Sequence, residues 1–191
     1  MAKTALKARD ALSLLNHGPV VLVTSQHRGR VSVITLAWVA PVSGEPPMVA
    51  IAVAPARFSH RLIKRSGQFV VNVPGSRLLG AVWLCGTTSG RDTDKFAAAG
   101  LTSAPAQVVE APLIEECLGH LECRVAASIK AGDHTVFLGR VVAACADPAL
   151  FRKHLTLRGA SHTLHHLGGQ RFLTSAGKRL EAARAGARRP R

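Results

Sequence analysis

The feature that most limits what this chain can fold into is a succession of β-branched runs set apart by turn residues. "VVLVTSQ" (20–26) and "VSVITLAWVAPVS" (31–43) flank "HRGR", where Gly29 predicts a hairpin turn. "PPMVAIAVAP" (46–55) and "QFVVNVPG" (68–75) are further strands, the second ended by Pro74 and Gly75. "HLECRVAASIKAGDHTVFLGRVVAACAD" (120–147) reads as two strands joined by a turn around "KAGDHT". With no tandem repeat and no βαβ alternation, these six strands predict a mainly β fold, an antiparallel barrel decorated by short helices. The helices are expected over 2–16, stopped by Gly18 and Pro19, in "RFSHRLIKRSG" (57–67) closed by Gly67, in "SRLLGAVWLCG" (76–86), and in "DTDKFAAAG" (92–100). The stretch 148–172 is weakly patterned and interrupted by glycines.

A length of 191 residues with 47% hydrophobic composition suits one core. We therefore expect a single domain over 1–170, followed by a basic tail over 171–191. No apolar run approaches the roughly 18 residues of a membrane span, and the first residues lack an apolar core with a cleavage site. The expectation is a soluble, cytoplasmic protein with no membrane partner. The four cysteines, Cys85, Cys117, Cys123 and Cys145, include no Cys-x-x-Cys pair, so they read as reduced, mostly buried thiols. A net charge of +14 invites a nucleic-acid reading, but its distribution argues otherwise. The last 21 residues hold seven cations against Glu181 alone, a net +6, which leaves +8 for the rest. The chain also has no tyrosine, two tryptophans and six phenylalanines, few aromatics for stacking bases. A basic body equally suits an enzyme that handles anionic, phosphorylated ligands.

The stretch "CGTTSGRDTDKF" (85–96) carries two readings. Gly86 and Gly90 permit close backbone approach, Thr87, Thr88 and Ser89 offer hydroxyls, and Arg91 and Lys95 supply charge. A helix beginning at Asp92 or Thr93 would add its positive end, and phosphate is the anion such a loop suits. The plainer reading is an N-cap at Asp92 or Thr93 with a solvated loop before it. No G-x-G-x-x-G follows a strand, so no dinucleotide fingerprint of the Rossmann kind is present.

Taken in order, "SVITLAWVAPVS", "PPMVAIAV" leading to "RFSHRLI", "SGQFVVNVP", "CGTTSGRDTDKF", "APLIEECLGHLECRV" and "GDHTVFLGRVVAA" resemble the flavin reductase-like family, which includes flavoredoxins. The resemblance spans residues 12–152. It implies an FMN-binding split barrel, a six-stranded antiparallel Greek-key barrel that dimerises with the flavin near the subunit interface. It further implies FMN as cofactor, with FAD as the alternative, and NAD(P)H as a transient hydride donor. By the same resemblance Ser32, Thr35, Ala37 and Trp38 lie beside the flavin, with Ser32 standing where many relatives have asparagine. Arg57 and Ser59 fall near the flavin phosphate and ribityl chain. Cys85, Gly86, Ser89, Gly90 and Lys95 line the cofactor site, and His134 faces the flavin and its hydride donor as the catalytic candidate.

Alone, each residue has an ordinary role: Trp38 in a core or interface, Ser59 in a turn, Arg57 and Lys95 as surface cations, His134 in a hairpin turn. The ordered series is what raises them to a site. In that reading Lys95 or backbone N–H groups stabilise the reduced flavin, His134 orients the nicotinamide or supplies a proton, and Ala54 and Ala56 let a flat ring lie against the backbone. Electrons then pass to free flavin, a protein partner or a small acceptor. The rivals are a flavoredoxin-type FMN carrier reduced by a protein partner, and a cofactor-free nucleic-acid-binding barrel. His162, His165 and His166 in "HTLHH" could face one side of a helix, but no carboxylate or cysteine lies close and no metal is assigned. From the resemblance, His166 or Leu167 would cover the ring edge. Cys117 and Cys123 are read as structural thiols rather than a redox pair.

Overall fold

The computed structural model describes residues 11–15, 17–152, 154–156 and 161–176. Most of the helix predicted over 2–16, and the basic tail beyond 176, lie outside the described residues. Within them Leu12–Leu15 forms a 3-10 turn.

Strands β1 (Val21–His27) and β2 (Arg30–Leu36) make the first hairpin, with Arg28 and Gly29 both at positive φ, 49° and 72°. Two positive φ values in a two-residue loop are what the right-handed twist of paired strands favours. The run predicted as one strand over 31–43 is interrupted at Ala37 and Trp38. Beyond the break, β3 (Val39–Gly44) pairs with β4 (Pro47–Val53) instead of continuing along β1. Helix α1 (Phe58–Ser66) ends on Gly67 in the left-handed region, and β5 (Gln68–Val73) follows. Then come α2 (Leu79–Thr87), α3 (Lys95–Ala99), and the short pair β6 (Ser103–Ala104) and β7 (Leu113–Ile114). The long hairpin β8 (Gly119–Ala131) and β9 (His134–Ala146) and the small hairpin β10 (Leu164–Gly168) and β11 (Arg171–Thr174) complete the fold.

The main sheet is antiparallel, in the order β2-β1-β5-β8-β9-β4-β3. It has seven strands where six were expected, because the second predicted strand is split in two. The split also closes the barrel. In a flat sheet six strand spacings, roughly 29 Å, would separate β2 from β3. Yet only Ala37 and Trp38 join these two edge strands, and three Cα steps span at most about 11 Å. The sheet must therefore roll until its edges meet at that bridge.

Alternation along β1 sorts residues between two apolar clusters, as a period of two requires. Val21 and Val23 face a core with Ile34, Ile51, Phe69 and Phe137, plugged by Ile63 of α1. Val20 and Leu22 face a second one with Val33, Val82 and Cys85 of α2, and Leu164 of β10. Close packing of the first core explains Gly139, where an added Cβ would collide with the Phe69 ring. The second cluster clamps α2 and the β10–β11 hairpin onto the barrel beside the Ala37–Trp38 bridge. That hairpin straddles residue 170, and Phe172 of β11 packs against the second cluster.

Candidate functional site

A cleft opens where the β2–β3 bridge, the end of β4, the start of α1, the second half of α2 and the start of β9 converge. It consists of two adjoining hollows that share Ile34, Arg57, Gly86 and Thr87. The larger, about 430 Å³, is lined by Thr35, Ala37, Trp38, Ala54, Trp83, His134 and Phe172 among others. The smaller, about 250 Å³, is lined by Ser32, Ser59, Cys85, Ser89, Gly90 and Lys95, with Ala56, Phe58 and Arg91. All twelve residues that the resemblance assigns to the flavin site line one hollow or the other; of the two suggested covers for the ring edge, His166 lines the larger and Leu167 lines neither. No aspartate or glutamate lines either.

The polar hollow is built from the backbone outward. Ser59 Oγ donates to Ser32 Oγ at 3.0 Å, joining α1 to β2. Gly90 lies so close to this pair that an added Cβ would strike Ser32 Oγ and meet the Phe58 ring at 3.3 Å, which is why the loop needs glycine here. Lys95 is only 6% exposed. Its Nζ donates to the carbonyls of Val33 at 2.8 Å and Cys85 at 2.6 Å, using two of three donors. Burial pulls the Lys95 pKa below its usual value, opposed by the Cys85 thiol and assisted by Arg57. Burial in turn pushes the Cys85 thiol up to about 11.

Several expectations for 85–96 change. The helix cap is Asp94, not Asp92 or Thr93; its carboxylate accepts from the Phe96 and Ala97 N–H groups at 3.0 and 3.2 Å. That carboxylate occupies the positive end of α3, so the end is not offered to an anion. The positive end at the polar hollow belongs to α1, whose Phe58 and Ser59 line it and whose first turn has neither an acidic residue nor a side-chain cap. Thr87 and Thr88 turn their hydroxyls back onto the α2 carbonyls of Trp83 and Leu84, each at 2.8 Å. Arg91 ties the loop to the β4–α1 turn through the Ala56 carbonyl at 3.1 Å.

The larger hollow has two aromatic pairs on its walls. Trp38 lies 4.8 Å from His134, centroid to centroid, and His166 lies 5.1 Å from Phe172. His134 Nδ1 bonds the exposed Asp133 carboxylate at 2.7 Å, which holds the Asp133 pKa below its ordinary value. An ionised carboxylate only accepts, so Nδ1 carries the hydrogen and Nε2 is the remaining functional nitrogen. On the opposite face of β9, Thr135 bonds His60 Nε2 at 2.9 Å, so α1 holds the start of that strand. Burial lowers the His60 pKa, aided by Lys64.

The histidines of "HTLHH" do not share a helix face. His165 and His166 are neighbours on strand β10; His165 bonds the His17 carbonyl, and His166, which lines the cleft, bonds that of Gly169. Among the described residues no cluster of histidine, cysteine and carboxylate is placed to hold a metal. Cys117 and Cys123 are buried, their thiols pushed up to about 12 chiefly by burial. Phe172 and Trp83 were missed. The turn signal "LGGQ" between "LHH" and "RFL" could have revealed the hairpin that carries Phe172, whereas Trp83 had no signal beyond its place on a helix.

Residues 14–165 match the family described as flavin reductase like domain. The chain belongs to that family. Among curated relatives it is 38% identical over 183 residues to the uncharacterized protein YddH of Escherichia coli (strain K12), covering 93% of this chain and 96% of that one. The NADH-dependent flavin reductase StyB of Pseudomonas fluorescens is 29% identical over 144 residues, 73% of this chain and 77% of StyB. Of solved structures, the flavoredoxin of Desulfovibrio vulgaris (Miyazaki F) superposes with a TM-score of 0.84 at 25% identity, covering 98% of this chain and all of that one. The FMN-binding domain of a flavin reductases-like enzyme from Shewanella baltica OS155 gives 0.78 at 26% identity, with 94% and 97% covered. The chemistry of the cleft fits a flavin nucleotide: an aromatic-walled hollow for a flat ring, joined to a cationic one for a phosphate.

Proposed function

We propose that this flavin reductase-like chain binds FMN in the cleft and transfers a hydride from NAD(P)H to it, passing electrons to free flavin or another acceptor. The observation that carries the reading is the change along one continuous cleft, from aromatic walls at Trp38 and His134 to Lys95, Arg57 and the open end of α1, with no carboxylate along it. A flavin, when bound, supplies hydride acceptance and releases electrons singly or in pairs. The chain's share is binding, orientation and charge. Ser32, Ser59, Ser89 and the close-approach positions Gly86 and Gly90 cradle the phosphate and ribityl chain, and Cys85 forms the wall behind them. Lys95 and Arg57 hold positive charge beside an anionic ligand in a partly water-excluded site, where that charge acts more strongly than in bulk water. Thr35, Ala37 and Trp38 flank the ring. His134, its Nδ1 held by Asp133, presents Nε2 to orient the nicotinamide or exchange a proton. As a flavin-bound homodimer the chain would place exposed Trp38 and Val42 near a subunit interface.

The visible spectrum of the purified protein, before and after adding FMN, is the first test. Flavin absorption, or quenching of FMN emission on addition, is expected; unchanged emission would sink the proposal. Anaerobic mixing with NADH and with NADPH follows, and at least one should bleach the bound flavin. The similarity to a flavoredoxin favours a second reading, an electron carrier, which holds if only a reductase protein bleaches it.

A further inference from the structure

A hollow of about 480 Å³ lies remote from the flavin cleft, between the closing end of the β8–β9 hairpin and the segment that follows β9. Along β9 it is roughly 35 Å from His134. Among the described residues none lines both this hollow and the cleft. Its walls are apolar, with Leu118, Leu121, Ala144, Pro148, Phe151 and Leu155 among them, and its only ionisable lining side chains are His120 and Cys145. Phe151 and Leu155, bridged to each other, are 46% and 42% exposed, apolar surface that a ligand would cover.

The sheet aligns the two ionisable groups with a third. Asn72 of β5 is the register partner of His120 of β8, and His120 is that of Cys145 of β9. Directly opposite residues point to one face with Cβ atoms roughly 4.5–5.5 Å apart, so imidazole and thiol are within reach of each other. Buried Asn72 donates through Nδ2 to the Leu22 carbonyl at 3.0 Å, which leaves Oδ1 toward His120 Nδ1 at 2.8 Å. An amide oxygen only accepts, so Nδ1 carries the hydrogen and Nε2 the lone pair. Burial lowers the His120 pKa, opposed by Glu122, which favours the neutral ring that can take a proton. Cys145 is a free, exposed thiol. Nucleophile, base and the amide that orients the base thus stand in one cross-strand row, the set that activates a thiol for attack on a carbonyl.

We propose that Cys145 and His120 form a second reactive site, in which the thiol is acylated by the thioester of an apolar carboxylic acid. His120 Nε2 takes the Sγ proton and Sγ bonds to the thioester carbonyl carbon. The bond from that carbon to the departing sulfur breaks, and the departing thiol leaves with the proton. Nothing is oxidised or reduced; the products are an acyl thioester on Cys145 and one free thiol. The hollow holds the alkyl chain, so a longer chain is preferred to acetyl.

The test incubates the full chain with the octanoyl and with the acetyl thioester of N-acetylcysteamine and follows intact mass over time. One octanoyl group per chain is expected, and none on Cys145→Ser. Octanoyl transfer should be at least about tenfold faster than acetyl transfer, a ratio that fewer than two buried methylenes supply. His120→Gln should slow octanoyl transfer about tenfold or more, with a denaturant melt to show that the variant is folded. Phe151→Ser, at an exposed position, should slow octanoyl transfer and leave acetyl transfer unchanged; it and the chain-length ratio decide the matter if His120→Gln does not fold. Equal rates for the two chains, or a folded His120→Gln that reacts as fast as the natural protein, would reduce Cys145 to an ordinary surface thiol and overturn the proposal. Acylation that persists in Cys145→Ser, or none in the natural chain, would overturn it as well.

Discussion

The Lys95 ammonium donates to the Cys85 carbonyl at 2.6 Å and so ties the first residue of α3 to the last turn of α2. Through its second bond, to the Val33 carbonyl, it also reaches β2. A buried cation beside two carbonyls and no carboxylate is a costly arrangement unless it serves an anion. The Cys85 thiol is not that anion, since a pKa of about 11 keeps it protonated at neutral pH.

Replacing Lys95 should therefore separate flavins by their phosphate. Lys95→Met is expected to weaken FMN binding about tenfold or more and riboflavin binding little, as emission titrations would show. The pH dependence has a definite sign. Burial lowers the Lys95 pKa from 10.5, so its charge is lost as pH rises through a value below that of an ordinary lysine. FMN affinity should fall over that range while riboflavin affinity stays level. Parallel behaviour of the two ligands would leave Lys95 as a tie between strands and helices.

His134 stands between Trp38 and the Asp133 carboxylate, a placement that bears on the hydride donor more than on the flavin. His134→Ala should slow flavin reduction by NAD(P)H about tenfold or more while shifting the FMN dissociation constant only a fewfold. Stopped-flow reduction and equilibrium titration on one preparation measure both. An unchanged reduction rate would return His134 to the role of a hairpin residue.

Two glycines of neighbouring elements should respond in opposite directions to the same change. At Gly90 a Cβ would collide with Ser32 Oγ and press on Phe58. Gly90→Ala is expected to cost about 1–3 kcal/mol in stability and to weaken FMN binding, since it displaces the Ser32–Ser59 pair. At Gly80, inside α2, nothing lies within 4 Å of an added Cβ, so Gly80→Ala should stabilise by about 0.4–1 kcal/mol through a less flexible unfolded chain. Denaturant melts of the two variants give the comparison.

Much of this arrangement was readable from residues. Gly29 and Gly67 announced a turn and a helix end because the left-handed backbone they adopt is one other residues avoid. The break at Ala37–Trp38 was not readable, because β-branched residues stand on both sides, Val33, Ile34 and Thr35 before it and Val39 and Val42 after it, and the exchange of partner from β1 to β4 is a tertiary event. The cap at Asp94 was misplaced by one or two positions, since Asp92, Thr93 and Asp94 are all good caps and only the hydrogen bonds choose among them. The ordered motifs brought twelve residues to one cleft. The part played by the start of α1 escaped, since a helix whose cap is Arg57 has no sequence signature of an anion site. The β10–β11 hairpin hid in glycine-rich sequence whose outer face is exposed and lacks alternation.

The thiols offer a test of packing that needs no ligand. Cys85, Cys117 and Cys123 are buried and Cys145 is exposed. Thiolate is the reactive form, and burial raises the first three to about 11, about 12 and about 12, leaving almost none ionised at neutral pH. Under native conditions one thiol per chain, Cys145, should react promptly with an aromatic disulfide reagent. The other three should follow only as fast as the protein opens, and all four at once in denaturant. Cys145→Ser should abolish the fast phase and leave the slow one unchanged. A fast phase of two or more thiols would show that α2, which carries Cys85, the turn at Cys117 or β8, which carries Cys123, is packed less tightly than the barrel requires.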